Sequence, residues 1–411
     1  MTNAVARRYQ KATKKERGRI LDEFCATTGF HRAYAAHKLH NTGRKVHKTL
    51  HGVRTVFVFG ERKRRTKQSR PRTYDTTVKP HLERLWALAD GLCGKLLAVW
   101  IRTTLPRLEQ FEEIVLDAAV REKLLSISPA TIDRMLAPLR AKSKLKGRSR
   151  TKPGTLLKHQ IPIRTFCEWN DLRPGFLEID LVSHDGGILE GDNCYTLDVT
   201  DVCTGWTETR VVKNKAQRWV FDALTDIFAL LPFPVLGIDS DNGSEFINHH
   251  LMRFCTEHSI TFTRSRPYRK NDNCFVEQKN WSVVRRTLGY YRYDTEQELR
   301  LIEELYRSLR LYTNFFQPSM KLSTKTRIGA KVSKTYDHPL TPYQRTLNHV
   351  TVSEERKQLL RNQYQLLNPA ELKRTITRLQ NKLFSLAEKK LLTHKRRIQH
   401  DKYSTSLGIP V

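Results

Sequence analysis

Residues 175–187 read GFLEIDLVSHDGG, an apolar run interrupted by Glu178 and Asp180 and closed by two glycines. The composition of Phe176 to Val182 predicts a β-strand. An unpaired charge inside such a strand is costly, so Asp180 reads as a functional residue before a structural one. Two more strand-like runs follow closely, CYTLDVTD (194–201) and WTETRVV (206–212). Three strands so close in sequence predict an antiparallel meander. Beyond them the period changes. Residues 216–231 have helical spacing, Val235 to Asp239 form a short buried strand, and 245–258 a helix. Ile260 to Thr263 form another strand and 272–290 another helix. The order β-β-β-α-β-α-β-α predicts an α/β core with a mixed five-stranded sheet and helices on both faces.

Two further acids stand at comparable places in this frame. Asp241, in VLGIDSDNGSEF (235–246), follows the short buried strand. Asp-Asn-Gly alone is an ordinary turn, and Asp239 is a rival two residues earlier. Glu277, in RPYRKNDNCFVEQKNW (266–281), sits on the helix, with 35 residues between it and Asp241. Taken together, these acids and their spacing resemble the DDE catalytic core of retroviral-type integrases and insertion-sequence transposases. The resemblance covers about residues 170–320, and the family's S-D-N-G-S-E-F pattern selects Asp241 over Asp239.

The resemblance implies a ribonuclease-H-like core with Asp180, Asp241 and Glu277 as catalytic residues and metal ligands. It also implies two Mg²⁺ per site, with Mn²⁺ as a substitute. Phosphodiester cleavage and joining put charge on both the attacking and the leaving oxygen, which a pair of divalent ions can stabilise. Mg²⁺ takes oxygen ligands and keeps several waters, so a few carboxylates suffice. By position, Asn273 matches a polar residue near the DNA end in related integrases, and Asn242 and Gly243 would shape the loop beside the metals. The basic residues one and two turns after the glutamate in retroviral integrases are here Trp281 and Val284. Lys279, Arg285 and Arg286 become the candidates for that DNA contact. Glu178 and Asp198 also stand on strands and are candidates for structural pairing or substrate contact. The His-His-Cys-Cys zinc module of retroviral enzymes is missing, because His31, His37 and His40 near Cys25 lack its paired cysteines.

The net charge of +31 is unevenly spread. Residues 1–150 carry +21, 151–330 are neutral and 331–411 carry +10. A neutral core between basic arms points to a polyanionic partner, nucleic acid above all. In residues 13–41, Ile20 and Phe24, then Gly29, then Phe30, Tyr34, Ala35 and Leu39 have the rhythm of a helix-turn-helix. LLSISPATIDRMLAPLR (124–140) repeats it, with Ser128-Pro129 as N-cap and first helical position. On this second motif Arg134, Arg140 and Lys142 are DNA-contact candidates. The expected organisation is a helical, helix-turn-helix-like DNA-binding domain (1–60), a basic linker (61–73) and a second helical DNA-binding domain (74–150). The catalytic core (160–320) and a basic, mostly helical C-terminal region (321–411) complete it. Residues 318–345 read as basic and irregular. The stripe Leu372, Ile376, Leu379, Leu383 and Leu386 predicts a helix packed on the chain's own core.

Seven scattered cysteines without a CxxC pair predict no disulfide framework and a reducing compartment. No signal peptide and no 18-residue apolar run are present, so the expectation is a cytoplasmic, nucleoid-associated, prokaryotic protein without a membrane span. There is no GxxxxGK[ST] loop and no G-x-S-x-G elbow. The expected function is a transposase that cuts element ends and joins their 3′-hydroxyls to target DNA. Its partners are double-stranded DNA, further copies of itself and, where needed, a helper protein. Two alternatives share the fold: a structure-specific nuclease, and a non-catalytic DNA-binding regulator derived from a transposase.

Overall fold

The structure is a computed structural model that describes residues 2–50, 53–59, 73–142, 173–188, 190–241, 243, 245–246, 248–265 and 273–406. Nearly all of the expected basic linker, the 143–172 boundary stretch and Asn242 lie outside these residues. The chain divides into two compact units, residues 1–73 and 74–411.

In the first unit, α1 (Thr2–Lys11), α2 (Lys14–Thr28) and α3 (Arg32–Asn41) precede a hairpin of β1 (Lys45–Leu50) and β2 (Val53–Val58). Thr13 and Glu16 form a capping box at the start of α2, and Gly29 ends it in the left-handed region at φ 68°. Ala6, Tyr9, Ile20, Leu21, Phe24, Ala35 and Leu39 make its core. The two helices around Gly29 are as read from the sequence, but the expected all-helical 1–60 segment needs correction. Val46, Val53, Val56 and Phe57 are strand formers, and β1 pairs antiparallel with β2.

The second unit begins with α4 (Val78–Leu88), α5 (Gly94–Gln110), α6 (Ala118–Ser126) and α7 (Pro129–Lys142). Leu82, Leu85, Leu97, Ile101, Leu105, Leu124, Ile132 and Leu136 form one core. Helix α7 starts at Pro129, with the Thr131 amide donating to Ser128 Oγ at 3.3 Å.

The sheet follows. Strands β3 (Phe176–Ser183), β4 (Tyr195–Asp201) and β5 (Thr207–Val212) form the meander, then come α8 (Gln217–Leu230), β6 (Gly237–Ser240), α9 (His249–Glu257) and β7 (Thr261–Arg264). The spatial order is β5-β4-β3-β6-β7, antiparallel across the meander and parallel from β3 through β6 to β7. This is the mixed five-stranded sheet the sequence predicts. Strand β3 is central, and its period of two puts Leu177 and Ile179 in the hydrophobic core. Glu178 and Asp180 take the opposite face.

The helix expected over 272–290 is divided. Helix α10 (Cys274–Lys279) passes into a π-helical segment (Asn280–Arg285) and then α11 (Arg286–Leu288). After it come α12 (Glu296–Phe316), a hairpin of β8 (Leu322–Ile328) and β9 (Lys331–Tyr336), α13 (Pro342–Asn348), α14 (Glu354–Leu366) and α15 (Pro369–Ser406). The hairpin corrects the irregular reading of 318–345. Ile376, Leu379 and Leu383 of α15 are buried in the same core as Leu305 and Leu309 of α12, as the apolar stripe predicts.

Ion pairs and caps fix α4–α7 on this core. Glu113, just after α5, accepts two bonds from Arg374 at 2.7 Å and one from Asn368 at 2.7 Å. Asn368 in turn caps α15 through the Ala370 amide at 3.0 Å. The Arg374 hydrogen bonds pull the Glu113 carboxyl down to about 2. A carboxyl lowered by folding contributes stability that is complete above its ordinary value near 4.5 and is lost as pH falls toward 2. Urea unfolding should therefore show Glu113→Gln less stable than the parent at pH 6, with the difference shrinking at pH 3.

Candidate active site

Asp180 lies half-buried on the central strand β3. In the parallel pair β3–β6, Glu178 is opposite Asp239 and Ile179 opposite Ser240. One step further, just past the carboxyl end of β6, brings Asp241 beside Asp180. Asp239 is on the same face but one pair earlier, fully buried, and accepts the Thr263 hydroxyl at 2.5 Å. Asp241 closes its own turn by accepting the Gly243 amide at 2.8 Å. Glu277 arrives from α10 and is exposed.

Asp241 and Glu277 are near enough for their charges to bear on Asp180. Burial raises the Asp180 carboxyl to about 7, and the like charges of Asp241 and Glu277 add to the rise. Opposing them are the Leu181 amide, at 2.8 Å, and Asn280 Nδ2, at 2.6 Å. Burial also raises Glu245, with Asp241 contributing. A group of carboxylates that raise one another's proton affinity is stabilised by a cation. The donor set is all oxygen, as Mg²⁺ prefers. Among the described residues no three His, Cys, Asp or Glu side chains converge tightly enough to hold a metal unaided. An Mg²⁺ site of one or two carboxylates completed by water and substrate phosphate needs no such cage.

Glu178 positions the third acid. It is 1% exposed, and its Oε2 accepts the Phe275 and Val276 amides at 2.8 and 2.9 Å, at the start of α10. A carboxylate at a helix N-terminus satisfies otherwise unpaired amides. Burial nonetheless pushes it up to about 8, with Asp239 and Glu277 adding to the rise. Asp198 is directly across from Asp180 on β4 and fully buried. Burial holds its carboxyl well above the ordinary range, while the ammonium of Lys279 acts the other way.

The residues expected to hold DNA are differently placed. Lys279 is half-buried, and burial lowers its ammonium to about 8 against the attraction of Asp198. Arg286 donates to the Asp90 carbonyl and pairs with its carboxylate at 3.4 Å, tying α11 to the α4–α5 turn. Arg140 pairs with Asp133 and donates to the Leu92 carbonyl at 2.9 Å. Arg286 and Arg140 are thus held by protein partners, and Lys279 lies in the field of Asp198. Arg285 is half-buried, its guanidinium 5.0 Å from the Tyr290 ring centroid. Asn273 is 6% exposed, immediately before α10. Arg134 is exposed on α7, and the Lys142 side chain lies outside the described residues. Trp281 is 60% exposed, whereas Val284 is core.

Asn280 escaped the sequence reading. It opens the π-helical segment three residues after Glu277, and such segments recur at functional sites. Its amide orients Asp180, and a hydrogen bond to a carboxylate contributes about 1.5–3 kcal/mol. Asn280→Ala should lower any catalysis that depends on Asp180 by roughly ten- to a hundredfold. Higher Mg²⁺ should restore part of it. A single-turnover assay over a metal titration checks both.

A family model, that of the integrase core domain (rve), matches residues 172–270, a span that includes Asp180 and Asp241. The uncharacterized protein y4rM of Sinorhizobium fredii is 38% identical over 345 residues, covering 84% of this chain and 93% of that protein. The chain belongs to the y4rM family and carries an integrase core domain. Among solved structures, the catalytic core of BIV integrase is 18% identical, covering 41% of this chain and 91% of its own, with a TM-score of 0.29. The HTLV-2 integrase catalytic core in complex with magnesium is 17% identical, covering 34% and 84%, with a TM-score of 0.26. In this y4rM-family chain the integrase core is the ribonuclease-H-like mixed sheet β3–β7 with its helices. Among the described residues no helix is long and apolar enough to cross a membrane.

Proposed function

We propose that this chain is a DNA transposase whose integrase core cuts the ends of a mobile element and joins them to target DNA. The observation that carries the reading is the juxtaposition of Asp180, on the central strand, with Asp241, just past the carboxyl end of its parallel neighbour β6, with the charge of Glu277 bearing on Asp180. Asp180, Asp241 and Glu277 are the residues that would hold divalent metal. Bound there, Mg²⁺ would supply charge to the attacking and leaving oxygens of an in-line displacement.

The chain's own residues set the geometry. Asn280 and the Leu181 amide fix the rotamer of Asp180. The Asp241 side chain closes its loop through the Gly243 amide. Glu178 anchors the first turn of α10 and so directs Glu277 toward the sheet. Water attack at an element end releases a 3′-hydroxyl, and that hydroxyl then attacks a target phosphodiester. Each step breaks one P–O bond as it forms another, and no protein–DNA covalent bond is needed. Two ends must be joined together, which calls for more than one copy of the chain. The excess positive charge outside the core draws in DNA.

Metal removal tests the reading. Chelation should stop both cleavage and joining, and Mg²⁺ or Mn²⁺ should restore them, while Ca²⁺ should support binding alone. Full activity in chelator would refute it. Inverted repeats flanking the gene, with short direct duplications outside them, would supply the natural substrate.

A further inference from the structure

The β8–β9 hairpin has no role in the site described above, and its composition and placement are unusual. Every residue of both strands is exposed, and its sheet has only these two strands. An isolated two-stranded ribbon is marginally stable in water. This one carries Lys325, Arg327, Lys331 and Lys334, with no acidic residue anywhere from 322 to 336. The register sets Lys325 directly opposite Lys334 and Arg327 opposite Val332. Lys325, Arg327 and Lys334 therefore share one face. Like charges directly across a ladder are destabilising, and an anion lying on that face removes the repulsion. The other face presents Thr324, Thr326, Ser333 and Thr335, hydroxyls able to donate and accept, with Ile328 and Lys331 at its tip.

The root of the ribbon is firmly held. Ser319 and Leu340 exchange two backbone hydrogen bonds at 3.0 and 3.2 Å. Asp337 accepts the Lys321 amide at 2.6 Å and Arg345 at 2.7 Å. The Lys321 ammonium donates to the Val202 and Cys203 carbonyls, in the β4–β5 turn of the catalytic sheet. It also lies 5.9 Å from the ring centroid of Phe275, two residues before Glu277. From this root beside the Glu277 helix, seven residues of β8 extend about 24 Å.

We propose that the β8–β9 ribbon is a duplex-DNA grip, with Lys325, Arg327 and Lys334 contacting phosphates of DNA that leaves the active site. The inference rests on the DNA-joining reading and names a part of its binding surface. The major groove of DNA is about 12 Å wide and admits a two-stranded ribbon. A cationic face and a hydroxyl face then meet the two chemistries a groove offers, phosphates at its walls and base edges at its floor.

The test is binding of the full chain to a random-sequence duplex, read by fluorescence anisotropy from 50 to 200 mM salt. Lys325→Ala/Arg327→Ala/Lys334→Ala should bind more weakly at low salt. Three lost phosphate contacts should lower the slope of log affinity against log salt by about 2.7, so that the variant loses about 40-fold less affinity over that range than the parent. Its melting temperature should be unchanged, since all three side chains are exposed. A Lys325→Arg/Lys334→Arg variant should keep the parental slope. An unchanged affinity and slope in the triple variant, with a parent that binds, would overturn the grip and leave the DNA-joining reading intact. A changed oligomeric state with an unchanged slope would overturn it in favour of a contact between copies. A parent that binds no duplex would overturn both.

Discussion

Asp180→Asn and Glu277→Gln are each expected to reduce DNA cleavage and joining by about a thousandfold or more, without loss of the fold. The size follows from the role. Charge stabilisation by a bound divalent ion contributes several kcal/mol to such a transition state, and about 4 kcal/mol corresponds to a thousandfold in rate. The stability side follows from the electrostatics. In the absence of metal, Asp180 is raised to about 7 by burial and by its acidic neighbours. A carboxyl raised by folding weakens the folded state as pH climbs from its ordinary value near 4 toward 7. Replacing it with a neutral isostere removes that penalty. In metal-free buffer at pH 8 the melting temperature of Asp180→Asn should therefore equal or exceed that of the parent, while joining is abolished. A variant that is both inactive and unfolded would point to a structural role for Asp180 instead. Asp241→Asn should behave like Asp180→Asn. Asp239→Asn alters a fully buried carboxylate bonded to Thr263, and its effect should fall on stability.

The largest stability effect is expected at Arg310→Ala. Glu208 on β5 is fully buried and accepts Arg310 Nε at 2.6 and 2.7 Å and Trp206 Nε1 at 2.8 Å. Burial raises the Glu208 carboxyl, and Arg310 is the main opposing influence. Removing one partner of a buried pair leaves the other charge uncompensated and costs about 3–5 kcal/mol. Without Arg310 the Glu208 carboxyl rises further and takes up a proton more readily, so the loss should be larger at pH 8 than at pH 6. Chemical denaturation at the two pH values measures this. The double variant Glu208→Gln/Arg310→Met should recover most of the lost stability, because it removes the orphaned charge along with its partner.

What the sequence made legible depended on the range of the interaction concerned. The strands at 176–183, 195–201, 207–212, 237–240 and 261–264 were readable because a buried sheet imposes runs of apolar and β-branched residues that local composition records. The N-cap at Ser128 and the apolar stripe of α15 were readable for the same reason. The neighbour relation of Asp180 and Asp241 followed from strand order. The fate of the basic residues was not legible. Arg286, Arg140 and Lys279 look alike as surface cations in sequence. Arg286 pairs with Asp90, 196 positions away, and Arg140 with Asp133, 7 away, while Lys279 lies in the field of Asp198, 81 positions away. Nothing local distinguishes a cation held by protein from one that faces DNA. Asn280 was missed because its value comes from one hydrogen bond to a residue 100 positions earlier. The β8–β9 hairpin was missed for a different reason. Both strands of β8–β9 are exposed throughout, so they carry none of the apolar alternation that marks a half-buried strand.

Strand joining through Asp180, Asp241 and Glu277 is what separates the proposed transposase from a nuclease on the same fold. It is tested most directly by incubating the full chain with Mg²⁺, a duplex bearing the repeats that flank its gene and a plasmid target, and sequencing the products. The expected products are molecules in which the 3′ ends of the repeat are covalently joined to target strands, with none from Asp180→Asn. Nicked or cut DNA without any joined strand, or joining that survives in Asp180→Asn, would contradict it.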